Sequence, residues 1–209
     1  MFLDEKLFTD FLSEKEILWL GIDFSKAKFT KKGFDITQDA LRQLFTAWNL
    51  LIISDQKKYD IRLSFRKPIM SYDLSAISKR NMSVRSNSIL REHIHLNDLL
   101  NDDSLRQYVS TIEMPEQHHF ALLFIVESFD SASKTGSLWV VVADTRTRRT
   151  VLCEKFIKMP SGFGTKNYWG RIFYNTLFDI KNYAFCRWEN LVKDDTPSPI
   201  QDNHQHIIP

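Results

Sequence analysis

The sequence predicts an α+β (α/β-layered) domain: a mixed sheet of about five strands with helices packed on it, a C-terminal antiparallel hairpin and then a core helix. Three observations carry this. The run ILWLGIDF (17–24) is nearly continuous in apolar residues, as in a strand buried on both faces. Apolar stripes at helical spacing cover 40–52 and 169–184. Three β-type runs, at 120–129, 137–144 and 150–159, follow one another closely before the last stripe.

Taken in order, residues 2–14 place Phe2, Leu3, Leu7, Phe8, Phe11 and Leu12 on one face of an N-terminal covering helix. The first strand follows. Asp35 and Thr37 are both competent N-caps for a helix whose stripe is Ala40, Leu41, Leu44, Phe45, Ala47, Trp48, Leu51 and Ile52. A second helical piece, Tyr59–Lys67, is closed by Pro68, which disfavours helical geometry in the residue before it. Ile69–Ile77 alternates through Tyr72, Leu74 and Ala76 and reads as a strand, 79–95 as polar and irregular, and Leu96–Ile112 as a helix ending before Pro115. The short connection DTRTRRT makes 137–144 and 150–159 an antiparallel hairpin. The final helix starts near Asn167. Residues 1–190 are therefore expected as a single domain, with 191–209, which contains Pro197 and Pro199, as a flexible tail.

The 28 basic and 26 acidic residues nearly cancel, so no overall field recruits nucleic acid or an anionic membrane. The longest apolar runs fall well short of the ~20 residues that span a bilayer. MFLDEKLFTDF mixes acids among its apolar residues and does not read as a signal peptide. The expectation is a soluble chain, cytoplasmic as the sequence stands and periplasmic or envelope-located if a signal was trimmed. Cys153 and Cys186 fall in apolar segments, where free thiols behave as small buried hydrophobes, so a reducing compartment is favoured.

No catalytic constellation is complete. GFGTK (162–166) lacks the spacing of the Walker pattern and of the dinucleotide fingerprint. What remains is a bent start to the final helix, where Gly162 and Gly164 supply the bend, Gly170 permits close packing, and amides near Lys166 and Asn167 offer an anion a generic contact. His93 and His95 could join Glu92 or Asp98 around a metal, but ordinary histidines are the simpler reading there, as at His118–His119 and His204–His206. Neither a cofactor nor a metal is expected. There is no Gly-x-Ser-x-Gly, Cys153 has nothing nearby to activate it, and Asp102–Asp103 and Asp194–Asp195 read as solvated or capping acids. Arg146, Arg148 and Arg149 concentrate charge at the hairpin tip, which reads most simply as a solvated tip guarding against edge pairing; its functional reading is a contact for protein or phosphate. Lys79, Arg80, Arg85 and Arg91 lie in the central stretch, and aromatic residues interleave with neither group, which argues against nucleic acid.

LGIDFSKA (20–27) resembles the first phosphate-binding strand of the actin, hexokinase and Hsp70-type ATPases, roughly Gly-Ile-Asp-Phe-Gly-Thr. That likeness would put Asp23 near a metal and the turn against phosphate. Ser25 stands where that motif has glycine and Lys26 where it has a hydroxyl residue, which favours Asp23 as the cap of a strand end. Over most of its length the chain resembles a bacterial, Bacteroidetes-type family with no assigned activity, through LGIDFS (20–25), SLWVVVAD (137–144) and GFGTKNYW (162–169). More distantly, a strand ending in Asp, a turn, a returning strand and a last helix is similar to curli-secretion lipoproteins, penicillin-binding-protein activators and the TolB amino-terminal domain. The likeness implies assembly and protein contact without catalysis. The expected function is thus a non-enzymatic protein-interaction or scaffold domain with an unknown protein partner or a second copy of itself. The alternative is a small-ligand, nucleotide or phosphate site built from Asp23, Ser25, Lys26, Gly162, Gly164, Lys166 and Asn167.

Overall fold

The computed structural model describes residues 1–34 and 36–193. Along the chain the elements are β1 (Phe2–Leu3), α1 (Glu5–Ser13), β2 (Glu16–Asp23), β3 (Lys28–Thr30), α2 (Gln38–Ser54), α3 (Ile61–Phe65), β4 (Ile69–Tyr72), α4 (Ser75–Ser83), α5 (Ser86–Ile89) and β5 (Leu90–Arg91). There follow α6 (Asp102–Ser110), β6 (Phe120–Asp130), β7 (Thr135–Asp144), β8 (Thr150–Lys158), α7 (Thr165–Asp179), a π-helical turn (Ile180–Ala184) and α8 (Phe185–Lys193).

The fold is α+β around one mixed sheet in the order β1-β8-β7-β6-β2-β4, with β3 beside β6 and β5 beside β3. β2 pairs parallel with β4 and β6, because the intervening helices return the chain to the same end of the sheet, whereas β6, β7 and β8 are antiparallel to one another. The first crossover carries α2, which packs on one face through Leu41, Phe45, Trp48 and Ile52, joined there by α1, α7 and α8. The second crossover carries α4 and α6 to the opposite face, where Ile77, Leu105, Tyr108 and Val109 cover Leu18, Leu20, Leu123 and Val141. A strand covered on both sides must be apolar throughout, which is why Ile17–Asp23 is buried without interruption. The first face is rich in rings: Phe129 stacks on Phe29 at 4.8 Å and on Trp169 at 4.7 Å, and Phe24 stacks on Phe45 at 4.3 Å.

Several elements differ from the sequence expectation. The sheet has eight strands against the expected five or so; β1, β3 and β5 are two or three residues long, too short for an alternating pattern to register. The alternation over 69–77 stops at Tyr72, because Asp73 Oδ1 accepts the Ser75 amide at 2.9 Å and turns the chain into α4. The stretch 79–95 is in good part helical: α4 buries only Ile77 and Asn81, a face half polar and so invisible to apolar periodicity. α6 starts at Asp102, where Asn101 and Ser104 form a reciprocal capping box. Phe2 and Leu3 form a strand instead of extending α1, whose N-cap is Asp4. α2 is capped by Thr37, whose side chain accepts the Ala40 amide, while the rival cap Asp35 lies outside the described residues. α8 carries helix to Lys193, past the expected start of the tail; residues 194–209, with Asp194–Asp195 and His204–His206, lie outside the described residues. No described helix is long and apolar enough to cross a membrane.

Candidate functional site

β4 ends opposite Trp19, so the outer edge of β2 beyond that point has no strand to bond to. Two asparagines, one from each helical layer, take its place. Asn49 of α2 accepts the Ile22 amide at 2.7 Å and donates to the Ile22 carbonyl at 3.0 Å. Asn81 of α4 donates to the same carbonyl at 2.8 Å and accepts the Phe24 amide at 2.8 Å. The close approach of Asn49 requires Gly21: φ there is +116°, the β2–β6 register shifts at that point, and an added Cβ would lie 2.5 Å from Asn49 Oδ1. LGIDFS is therefore the sequence of a side-chain-sealed bulge.

The bulge aims Asp23 at the second face. Its Oδ1 accepts the Ser25 amide at 2.8 Å and its Oδ2 accepts the Tyr108 hydroxyl at 2.5 Å. Arg80 donates from Nε to the Tyr108 oxygen at 3.1 Å, stands 3.6 Å from Asp23 Oδ2, and lies over the tyrosine ring at 4.6 Å. Ser25 Oγ is 2.5 Å from the Tyr108 oxygen, and Lys26 sits over the same ring at 5.2 Å. Burial first, and the Asp23 charge second, raise the Tyr108 pKa well above its ordinary value. Asp23 is fully buried, and every polar partner just named comes from the chain itself, so the carboxylate acts as a keystone joining β2, α4 and α6. A groove of about 400 Å³ runs between α4 and the segment after α6, lined by Leu20, Asp73, Ser75, Lys79 and Glu113 and by none of the residues of the Asp23 cluster.

Gly162, Gly164, Lys166 and Asn167 are exposed where the chain enters α7, a helix that packs on the other face. The Trp48 indole donates to the Lys166 carbonyl at 2.8 Å, fixing the first turn of α7 to α2, while Trp169 packs against both Phe34 and Phe129. The structure thus groups Asp23, Ser25 and Lys26 around Tyr108, and leaves the glycine turn exposed at the start of α7, without bringing the two sets into one polar site. Gly162 and Gly164 have φ of +115° and +77°, so both take the backbone region open chiefly to glycine. Gly170 is not a close-packing glycine as expected: a Cβ there would meet Trp48 and Leu51 at an ordinary 3.5 Å. Between the two bent glycines Phe163 is 95% exposed, with Ile157 (61%) at the outgoing end of β8 and Met159 (68%) just past it. The Asn167 side chain donates back to the Phe163 carbonyl at 3.3 Å, and the Ser161 amide bonds the Tyr168 carbonyl at 3.3 Å, which fixes the turn.

Arg146, Arg148 and Arg149 are exposed at the opposite end of the β7–β8 pair, roughly 30 Å away at ~3.3 Å per residue. Arg149 pairs with Asp4 at 2.9 Å, so its charge is used within the fold. Cys153 is buried, and burial raises its pKa to about 11, whereas Cys186 is exposed with Arg66 Nη2 2.7 Å from its sulfur; the expectation of two buried thiols holds for one. His118 and His119 face Glu16 and Glu14 at 3.4 Å and 3.3 Å, and among the described residues no group of three His, Cys, Asp or Glu could hold a metal ion.

Sequence reasoning missed Asn49, Asn81, Tyr108 and the buried Glu127. Glu127 accepts Ser137 Oγ at 2.8 Å and Trp139 Nε1 at 3.3 Å and pairs with Lys155 at 2.5 Å. A signal existed for two of them: Asn49 interrupts the apolar stripe of α2 and Glu127 interrupts FALLFIVESF. Asn81 lies among polar neighbours and gave none. No protein-family model and no curated protein matches the chain.

Proposed function

We propose that the protein is a non-catalytic protein-interaction domain that docks through the Gly162–Phe163–Gly164 turn. The observation that carries this reading is Phe163, held almost wholly in solvent on a turn that is itself anchored to the core by Trp48 and Trp169. A rigidly displayed aromatic ring binds at low entropic cost, and its full burial in a partner's apolar pocket contributes about 2–3 kcal/mol. Met159 and Ile157 widen the apolar contact. The resemblance to envelope assembly domains supports the same reading at the level of fold, because those domains serve protein contact. Arg146 and Arg148, at the far end of the hairpin, belong to a separate surface and are not part of this contact.

The test is affinity capture from cells with the wild type and Phe163→Ser, each first shown by thermal denaturation to be equally folded. The reading expects a specific partner to be retained by the wild type and lost from the variant. Equal retention by both would refute it.

A further inference from the structure

One face of α7 and the π turn after it carries Arg171, Tyr174, Phe178 and Lys181, spaced three, four and three residues apart, so cations and rings alternate along a single stripe. Arg171 lies over the Tyr174 ring at 4.3 Å, and Tyr174 stacks on Phe178 with centroids 6.5 Å apart and planes at 28°. This leaves the outer face of Phe178, which is 49% exposed, as a platform. Opposite the stripe, the connection between α2 and α3 brings up Lys57 and Lys58, the latter 5.9 Å over the Tyr174 ring. Between them is a cavity of about 280 Å³ lined by both of these lysines, Lys181, Tyr174 and Phe178.

Among the described residues, the ammonium group of neither Lys57 nor Lys181 has an ion-pair or hydrogen-bond partner. The one acid on the cavity wall, Asp60, is already committed: its Oδ1 accepts the Leu63 amide at 3.0 Å as the cap of α3 and lies 3.8 Å from Arg62. Three ammonium groups and a free ring face, in a cavity just below the usual size range of small-molecule sites, select for a small anion attached to a flat ring. We infer that this cavity binds a nucleoside monophosphate, with the base on Phe178 and the phosphate held by Lys57, Lys58 and Lys181. The site stands apart from the Phe163 turn, so either assignment can fail without the other.

Isothermal titration of the full chain with adenosine monophosphate, adenosine and inorganic phosphate tests it. One molecule of the nucleotide is expected per chain, weakening as salt is raised, with the nucleoside and phosphate each binding at least about 5-fold more weakly because each lacks one half of the contact. Phe178→Leu and Lys181→Ala, both at exposed positions that leave the fold intact, are each expected to weaken nucleotide binding by about 5-fold or more, while Lys32→Ala on the exposed turn after β3 leaves it unchanged. No heat at millimolar nucleotide, phosphate binding as tightly as the nucleotide, or wild-type affinity in both site variants would each overturn the assignment. So would a single-stranded oligonucleotide whose affinity exceeds that of the mononucleotide by more than its count of nucleotides, since that requires a groove and not a one-nucleotide cavity.

Discussion

Replacing Gly21 with alanine tests whether LGIDFS is a structural seal. The backbone there sits at φ +116°, which costs a residue with a Cβ about 1–3 kcal/mol. The new methyl would also lie 2.5 Å from Asn49 Oδ1, so the amide must withdraw. Asn49 makes three bonds, to the Ile22 amide and to the Ile22 and Phe45 carbonyls. Losing two of them in a buried site costs about 2–3 kcal/mol more. The sum, about 3–6 kcal/mol, is a large part of the ~5–15 kcal/mol that holds a typical domain together. In a urea titration with a slope near 2 kcal/mol per M the midpoint should fall by about 2 M at unchanged slope. Gly162→Ala and Gly164→Ala are the controls: each carries only the backbone penalty, since the nearest atom to an added Cβ is 3.6 Å away at the first and none lies within 4 Å at the second. Losses of about 1–2 kcal/mol are expected there. A Gly21→Ala protein within about 1 kcal/mol of wild type, or less damaged than either control, would show that Asn49 does not seal the strand.

Tyr108→Phe should cost about 1–3 kcal/mol near neutral pH, because buried Asp23 loses a donor. It also has a pH signature. The Tyr108 pKa is raised above the ordinary 10.0, so its contribution is complete below pH 10 and is lost as pH climbs through the higher folded value; the variant should lack that part of the alkaline loss in a series of denaturant titrations. Lys67 gives the opposite sign. Burial pushes its pKa down from 10.5 to about 8, Glu14 pulling the other way, while its ammonium bonds the Phe11 and Glu14 carbonyls at the end of α1. The folded state therefore binds this proton less tightly than the unfolded chain, and stability should rise by up to about 3 kcal/mol between pH 8 and 10.5, a rise absent from Lys67→Met.

The α+β class, the buried first strand and the stripes of α2 and α7 were legible because they rest on many apolar side chains repeating at a fixed period. α4 was not, since its inward face pairs Ile77 with Asn81, and an asparagine that replaces a missing β-strand looks on paper like any polar residue. The local pattern drew attention to Asp23 and Ser25, but their partner Tyr108 comes from 83 residues or more along the chain, beyond the reach of local pattern. The glycines of 162–164 read as a bend, which they form. That the bend would leave Phe163 outside while seating Trp169 inside could not be read from spacing, because both rings stand beside a glycine in an aromatic-rich segment and only tertiary contacts, those of Trp169 with Phe34 and Phe129, separate them.

Photo-crosslinking from position 163 tests the central claim most directly. With p-benzoylphenylalanine in place of Phe163, irradiated cells should yield a discrete crosslinked species, and the same probe at Leu50, an apolar residue 52% exposed on α2, should not. A probe at 163 that gives no adduct, or the same adducts as the probe at 50, would contradict the claim that this turn is a protein contact.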